Sequence, residues 1–306
     1  MSRSQWDRPL VSVIVPVHND ADRLADCLAA LDRQTWPPDR LEIIVVDNGS
    51  SDDPAELADR FPRVRWEREP RPGSYAARNH GIRVARGDIL AFTDSDCVPR
   101  PRWIAEGVRG FFQTPQTGLV GGGIDMVFAD PRRLTPAELF ERKNAFRHER
   151  QIREHHFAVT ANMFTRRDVL EDVGAFHDGL KSGGDLEWGN RVHRAGYHLA
   201  FAPGARVGHP ARRTFRELGR KTVRVVGGLR DSGKESPRTP AGAARDLLRS
   251  ARVLAGLVGR FLFRRPPTSF FSTPGERIRY FAAMAFVEAA RNLERFRLDR
   301  GGRSRR

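Results

Sequence analysis

Asp94-Ser95-Asp96 closes an apolar run, Ile89-Leu90-Ala91-Phe92. Acids one residue apart in an extended chain point in different directions, so one can reach a divalent cation while the other reaches a ribose hydroxyl or a metal-bound water. A hard cation held by one or two carboxylates and several phosphate oxygens makes pyrophosphate a workable leaving group. An Asp-x-Asp pair is common on surface loops; at the end of an apolar strand it is more specific. A further carboxylate, Asp185, stands in Ser182-Gly183-Gly184-Asp185-Leu186-Glu187-Trp188 at the start of a helix-period segment. There it is both accessible and held, as a base removing a hydroxyl proton must be. The plainer role for Asp185 is a helix N-cap.

Two more polar clusters follow apolar runs: Pro16-Val17-His18-Asn19, and Asp47-Asn48-Gly49-Ser50-Ser51-Asp52. Singly these are turn chemistry. Together with Asp94-Ser95-Asp96 they make three clusters at three strand ends, and ligands of open parallel sheets gather at those ends. His209, taken alone, is equally a loop histidine without a catalytic task. The adjacent His155 and His156 project differently and read as a solvated loop.

The elements that must position these residues are legible in the hydrophobic pattern. Short branched runs (10–15, 41–46, 89–92) alternate with helix-period segments (20–31, 54–61, 74–85), the mark of successive βαβ units and a mainly parallel sheet. Leu24, Leu28 and Leu31 fall on one face of the first helix, with Asp20 or Asn19 placed to cap it. A glycine-rich strand at 118–124 leads into polar helix and loop over 135–157. An apolar segment at 157–164, a helix at 167–173 and another at 185–195 follow, and Pro203, Gly204 and Pro210 punctuate the chain after that.

The chain has 306 residues, 39% of them hydrophobic, enough for a substantial core, and a formal net charge of +15. That charge is concentrated: residues 211–306 carry 24 Lys and Arg against 8 Asp and Glu. Cys27 and Cys97 are too few for a disulfide framework and lack zinc-site spacing. The polar start, without a charged, apolar and small-residue succession, predicts a chain that begins in the cytoplasm. No uncharged apolar run reaches the length of a membrane-spanning helix.

The set Val13-Ile14-Val15-Pro16-Val17-His18-Asn19, Ile44-Val45-Val46-Asp47-Asn48-Gly49-Ser50-Ser51-Asp52, Ala77-Arg78-Asn79-His80-Gly81 and Asp94-Ser95-Asp96 resembles the family 2 glycosyltransferases over roughly residues 10–210. The segments 182–188, Arg194-Ala195-Gly196-Tyr197 and Ala205-Arg206-Val207-Gly208-His209 fit the same family. The resemblance implies an α/β, GT-A nucleotide-diphospho-sugar transferase fold: a mainly parallel central sheet flanked by helices, with a C-terminal helical extension. It implies an inverting transfer of sugar from a nucleoside-diphosphate donor, a UDP-sugar by family default, to a hydroxyl acceptor, with Mn2+ or Mg2+ as cofactor. Donor binding would fall to Pro16, Val17, Asn19, Asp47, Asn48, Ser50, Arg78, Asn79, Asp94 and Ser95, and the metal to Asp96 and His209. Asp185 would be the base, with Glu187 in reserve, because Gly184 stands where the family usually has Glu. Asn162 would line the acceptor side, and Trp188 is either a sugar platform there or core.

These expectations place a catalytic domain at 1–230 and a basic helical region at 231–306. In the latter, 245–265 and 278–296 read as amphipathic helices with arginines on their polar faces. They predict a peripheral contact of 243–296 with the inner face of the plasma membrane, and with it a sugar or lipid-linked acceptor from the cell envelope. Three rivals remain. A nucleotidyltransferase would carry a glycine-rich basic loop where Pro16-Val17-His18-Asn19 stands. A nucleic-acid binder would show exposed aromatics or a reading motif in its basic tail, so no nucleic-acid partner is expected. A catalytically dead relative would be indifferent to loss of Asp96 or Asp185.

Overall fold

Alternation of branched residues in the first strand sends its side chains to two opposite faces, and both faces are buried. A computed structural model describes residues 8–233, 235, 238, 242, 245, 252, 271 and 273–305. In it β1 (Val11–Val17) is followed by α1 (Ala21–Asp32), β2 (Leu41–Asp47), β3 (Val64–Arg68), α2 (Ser74–Val84), β4 (Ile89–Phe92), β5 (Val98–Pro99), α3 (Trp103–Gly110) and β6 (Thr117–Val127). Then come α4 (Pro136–Asn144), α5 (His148–His155), β7 (Met163–Arg166), α6 (Arg167–Val173), α7 (Gly184–Arg194), β8 (His198–Pro210), α8 (Phe215–Asp231) and α9 (Pro274–Asp299).

By internal contacts the chain divides into two compact units: Met1–Val127 with Phe146–Leu180 and Gly184–Pro210, and Phe128–Ala145 with Lys181–Gly183 and Ala211–Arg306. The second takes in 211–230, which the sequence reading grouped with the catalytic domain.

The first unit holds one eight-stranded sheet in the order β3-β2-β1-β4-β7-β6-β8-β5. Strands β3, β2, β1 and β4 run parallel, as do β6 and β8, while β7 and β5 pair antiparallel. Val11, Val13, Val15 and Val17 join Ile43, Val45, Ile89 and Ala91 in one core with Leu24, Leu28 and Leu31 of α1. The intervening Ile14, Ile44, Val46, Leu90 and Phe92 enter the other core with Tyr75 of α2 and Trp188 and Val192 of α7. Period-two alternation thus fixes which helices cover which face.

Two predicted elements take other forms. The 54–61 segment makes only a short 3-10 turn, Pro54–Leu57, because Pro62 disfavours helix at Phe61; the chain then adds the edge strand β3. Pro203 and Gly204 interrupt no element. β8 runs from His198 to Pro210, and the register with β6 jumps between Ala202 and Arg206, so the intervening residues bulge. Gly122 allows this approach: a Cβ there would lie 2.0 Å from the Ala205 carbonyl oxygen.

The second unit contains α4, α8 and α9. Thr135 and Thr214 each form a capping box, with Glu138 and Glu217 respectively. Ala137, Leu218, Ala283 and Val287 make its core, and Leu134, Leu139 and Tyr280 a second cluster. The buried Glu141 is satisfied by Arg212 at 2.9 Å and Lys221 at 2.8 Å. The 278–296 helix is present within α9; the 245–265 segment lies outside the described residues except at Arg245 and Arg252. No described helix is long and apolar enough to cross a membrane.

Candidate active site

Parallel pairing sets Val17 opposite Asp47 and Ile14 opposite Phe92, so the loops after β1, β2 and β4 open at the same edge of the sheet. The first two are stitched together. Asn19, at φ +52, receives the Ser51 amide (2.8 Å) and hydroxyl (2.9 Å) on Oδ1, and its own N–H donates to Ser50 Oγ at 3.0 Å. The carboxylate of Asp52 receives the Ala21 amide at 2.9 Å. This supplies the cap expected from Asp20, whose side chain instead holds Ser95 Oγ at 2.7 Å and Arg23 Nε at 2.5 Å.

Asp47 accepts from the Ser50 amide at 2.8 Å through Oδ1, and its Oδ2 lies 3.8 Å from Arg68. Asn48 is spent on the backbone. It donates to the Glu69 and Arg71 carbonyls at 2.8 Å each and accepts from Gly73 N–H at 2.6 Å, fixing the entry to α2. From α2, Arg78 reaches Asp94 Oδ1 at 2.5 Å, and its Nε is buried without a hydrogen-bond partner among the described residues. Asn79 exchanges two hydrogen bonds with the backbone of Phe176, 2.8 and 3.1 Å, tying α2 to the segment before α7. Pro16 and Val17 are buried strand residues that end β1 and set the loop's origin.

Asp94, Asp96, Cys97 and His209 bring one ligand atom each to within 4.8 Å of one another, the one such cluster among the described residues. His209 donates from Nδ1 to its neighbouring Pro210 carbonyl at 2.9 Å, since a carbonyl oxygen can only accept. Its other ring nitrogen, Nε2, faces the acidic pair, 4.0 Å from Asp96 Oδ1. Burial pushes the Asp96 carboxyl up; the imidazole of His209 opposes this, Asp94 adds to it and Arg23 opposes it. Burial also raises the thiols of Cys27 and Cys97, which keeps them protonated and poor ligands. Two carboxylates and an imidazole whose Nε2 faces them suit a cation such as Mn2+ or Mg2+.

Asp185 opens α7, partly buried. Its Oδ1 accepts from the Leu186 amide at 2.9 Å and the Tyr75 hydroxyl at 3.4 Å. Glu187 is held by Arg191 through two bonds, 2.8 and 3.1 Å, and Arg191 also donates to the Ala175 carbonyl at 2.7 Å. Asn162, expected at the acceptor side, and Trp188, expected either there or in the core, are both 0% exposed. Asn162 accepts from Trp103 Nε1 and donates to the Gly123 and Ala205 carbonyls, each at 2.8 Å. Trp188 donates to the Gly174 carbonyl at 2.8 Å and packs on Phe176. Where a solvated loop was expected, His155 ends α5 and His156, its C-cap, stacks on His193 at 3.7 Å.

Two further residues of the site, Arg23 and Tyr75, have no motif to mark them. Arg23 stands three residues after Asp20, so its pairing there is legible from helical spacing. Tyr75 is announced only by Gly184, whose missing side chain means nothing until its spatial neighbour is known.

A model of the glycosyl transferase family 2 domain matches residues 12–174. The chain belongs to glycosyl transferase family 2. This transferase is 42% identical over 222 residues to glycosyltransferase AglE of Haloferax volcanii, covering 71% of this chain and 72% of that protein. It is 30% identical over 216 residues to the pre-mycofactocin glycosyltransferase of Mycobacterium tuberculosis, covering 68% of this chain but 44% of that longer protein. The mannosyltransferase PcManGT of Pyrobaculum calidifontis, solved with GDP-Man and Mn2+, superposes with a TM-score of 0.61 at 20% identity, covering 94% of this chain and 87% of the other. GalNAc-T7, solved with UDP, GalNAc and Mn2+, gives 0.53 at 21% identity, covering 67% and 44%. The glycosyltransferase thus has the GT-A fold.

Proposed function

We propose that this family 2 enzyme is an inverting, divalent-metal-dependent glycosyltransferase that moves a sugar from a nucleoside-diphosphate donor to a hydroxyl acceptor. The observation that carries this reading is the meeting of Asp94, Asp96 and His209 within 4.8 Å, with Arg78 fastened to Asp94. A bound Mn2+ or Mg2+ would offset the charge of the departing diphosphate. Asp47, with the loop that Asn19, Asn48 and Ser50 hold, takes the base and ribose. Arg78 and Asp94 lie toward ribose and phosphates, and Ser95 keeps the turn between the acids through Asp20. The buried Pro16, Val17 and Asn79 serve by shaping these loops.

Asp185 removes the acceptor proton as the hydroxyl oxygen attacks the anomeric carbon opposite the leaving group, which inverts the configuration. Burial raises its carboxyl, bringing a weak base nearer the operating pH. Glu187, already paired with Arg191, orients α7. The buried Asn162 and Trp188 support the acceptor-side wall from behind.

The donor is a UDP-sugar by the family resemblance. One solved neighbour holds GDP-Man and the other UDP, so both bases enter the tests. For the acceptor we infer a sugar or lipid-linked glycan of the cell envelope, reached on the cytoplasmic face of the membrane. Supporting this, Arg213 just before α8 and Arg216 and Arg220 on it are exposed, none in an ion pair with a described residue. Beside it a groove of about 930 Å³ is lined by Val223, Phe286, Leu293 and Phe296 together with Arg297, Arg300 and Arg305. Apolar surface rimmed by arginine suits anionic headgroups. We place the catalytic residues in the first unit and the basic face in the second, which takes in 211–230.

Slow hydrolysis of UDP- and GDP-sugars, followed by proton NMR of the released sugar, tests the reaction. An α-linked donor should yield the β-anomer first, and only with metal present. Release of the α-anomer, or turnover untouched in Asp185→Asn, would overturn the inverting mechanism.

A further inference from the structure

Tyr75 lies between the donor-side arginine and the carboxylate of Asp185. It is the second residue of α2, 6% exposed, with its ring 5.6 Å from that of Phe176 and the Arg78 guanidinium 5.6 Å from its centroid. Its hydroxyl accepts the Asp185 amide at 3.2 Å and donates to Asp185 Oδ1 at 3.4 Å. The Leu186 amide gives that oxygen a second bond. Oδ1 is therefore held by two donors, while Oδ2 takes no hydrogen bond from a described residue.

Gly184 belongs to the same arrangement. A Cβ at this position would fall 2.7 Å from Cε2 and Cζ of the Tyr75 ring, well inside contact distance. A side chain at 184 and this placement of Tyr75 cannot coexist. The residue that the family resemblance puts at 184 is a glutamate; here the space beside the base belongs to a phenol.

We propose that Tyr75 is a positioning residue for Asp185: its hydroxyl fixes Oδ1 and so presents Oδ2 to the attacking acceptor, with Gly184 as the vacancy that admits its ring. This rests on Asp185 being the base. As the acceptor oxygen bonds to the anomeric carbon, its proton passes to Oδ2, and the bond from that carbon to the diphosphate oxygen breaks, its electron pair leaving with the diphosphate. The phenol, ordinarily ionising near pH 10, keeps its proton throughout.

The charges around Asp185 set the direction of the effect. Burial raises its carboxyl; the Leu186 amide and Arg78 pull it down, Asp94 pushes it up, and the Tyr75 hydroxyl pulls it down. Deleting only that hydroxyl should raise it further and let the carboxylate rotate.

The test compares the full chain with Tyr75→Phe, which keeps the ring. Carboxyl 13C NMR titration in metal-free buffer follows Asp185, assigned by loss of its resonance in Asp185→Asn. In parallel, nucleoside diphosphate release from UDP-, GDP- and dTDP-sugars is followed with Mn2+ across pH. Tyr75→Phe should titrate at higher pH, lose about tenfold in kcat with donor KM nearly unchanged, and shift the acid limb of kcat upward. An Asp185 titration unmoved by Tyr75→Phe overturns the inference, whether or not any donor turns over. If instead Asp185→Asn turns over normally, it is the base assignment that fails.

Discussion

Arg78 on α2 and Asp94 at the end of β4 form an ion pair at 2.5 Å, with the arginine side chain 5% exposed and the aspartate 33%. The pair joins the helix that Asn48 positions to the loop that carries the acidic cluster. Its partly open carboxylate also leaves room for a ligand. Arg78→Ala should weaken nucleoside diphosphate binding about tenfold to a hundredfold, by loss of a charged hydrogen-bonding group, as titration calorimetry would show. Unchanged affinity would remove Arg78 from the donor site.

His148 predicts an acid-sensitive fold. It accepts the Val159 amide on Nε2 at 2.8 Å and donates from Nδ1 to the Gly122 carbonyl at 2.6 Å. Burial pushes its imidazole down from 6.5 to about 4. The unfolded chain therefore takes up a proton that the folded chain refuses, and stability falls as pH drops from about 6.5 toward 4. The loss should reach roughly 3 kcal/mol. Urea unfolding at pH 7 and pH 4.5 should show it, and His148→Gln should flatten the difference; a slope that survives that substitution would assign it to other groups.

Gly122 should be among the least tolerant positions. With the Ala205 carbonyl 2.0 Å and Asn162 Nδ2 2.5 Å from an added Cβ, Gly122→Ala must part β6 from β8. We expect a cost of about 3 kcal/mol or more in chemical denaturation. Near-wild-type stability would show that the bulge at 203–205 absorbs the methyl.

The groove in the second unit predicts binding to anionic vesicles. Leu293 is 70% and Phe296 46% exposed. Leu293→Asp with Phe296→Asp should cut cosedimentation with phosphatidylglycerol vesicles at least tenfold while leaving nucleotide binding intact. Equal partitioning of variant and parent would refute membrane contact through this face.

The two-faced core was legible because β1, β2 and β4 are mostly apolar, branched runs. Asn19, Asn48, Ser50, Asp94 and Ser95, proposed for the donor, stand in the loops after such runs, whereas Arg78 and Asn79 come from α2. β3 and β8 were not: Arg63, Arg65 and Arg68 give the edge strand a polar surface, and Pro203 and Gly204 imitate a loop while forming a bulge. Asn162 shows the limit of reading roles from residue type: whether an amide faces solvent or core is decided by the folded neighbours, here Trp103, Gly123 and Ala205. The same holds for Trp188, whose two readings the sequence leaves open and whose indole packs on Phe176. Tyr75 escaped notice because its partners, Gly184 and Asp185, lie 109 and 110 positions away in sequence.

The most direct test of the account is calorimetric titration of the full chain with uridine, guanosine and thymidine diphosphates, with and without Mn2+, repeated on Asp96→Ala. One diphosphate should bind tightly only with the metal, and Asp96→Ala should abolish this dependence along with most of the affinity. Metal-independent binding, or binding unaltered in Asp96→Ala, would contradict a donor site built on Asp94, Asp96 and His209.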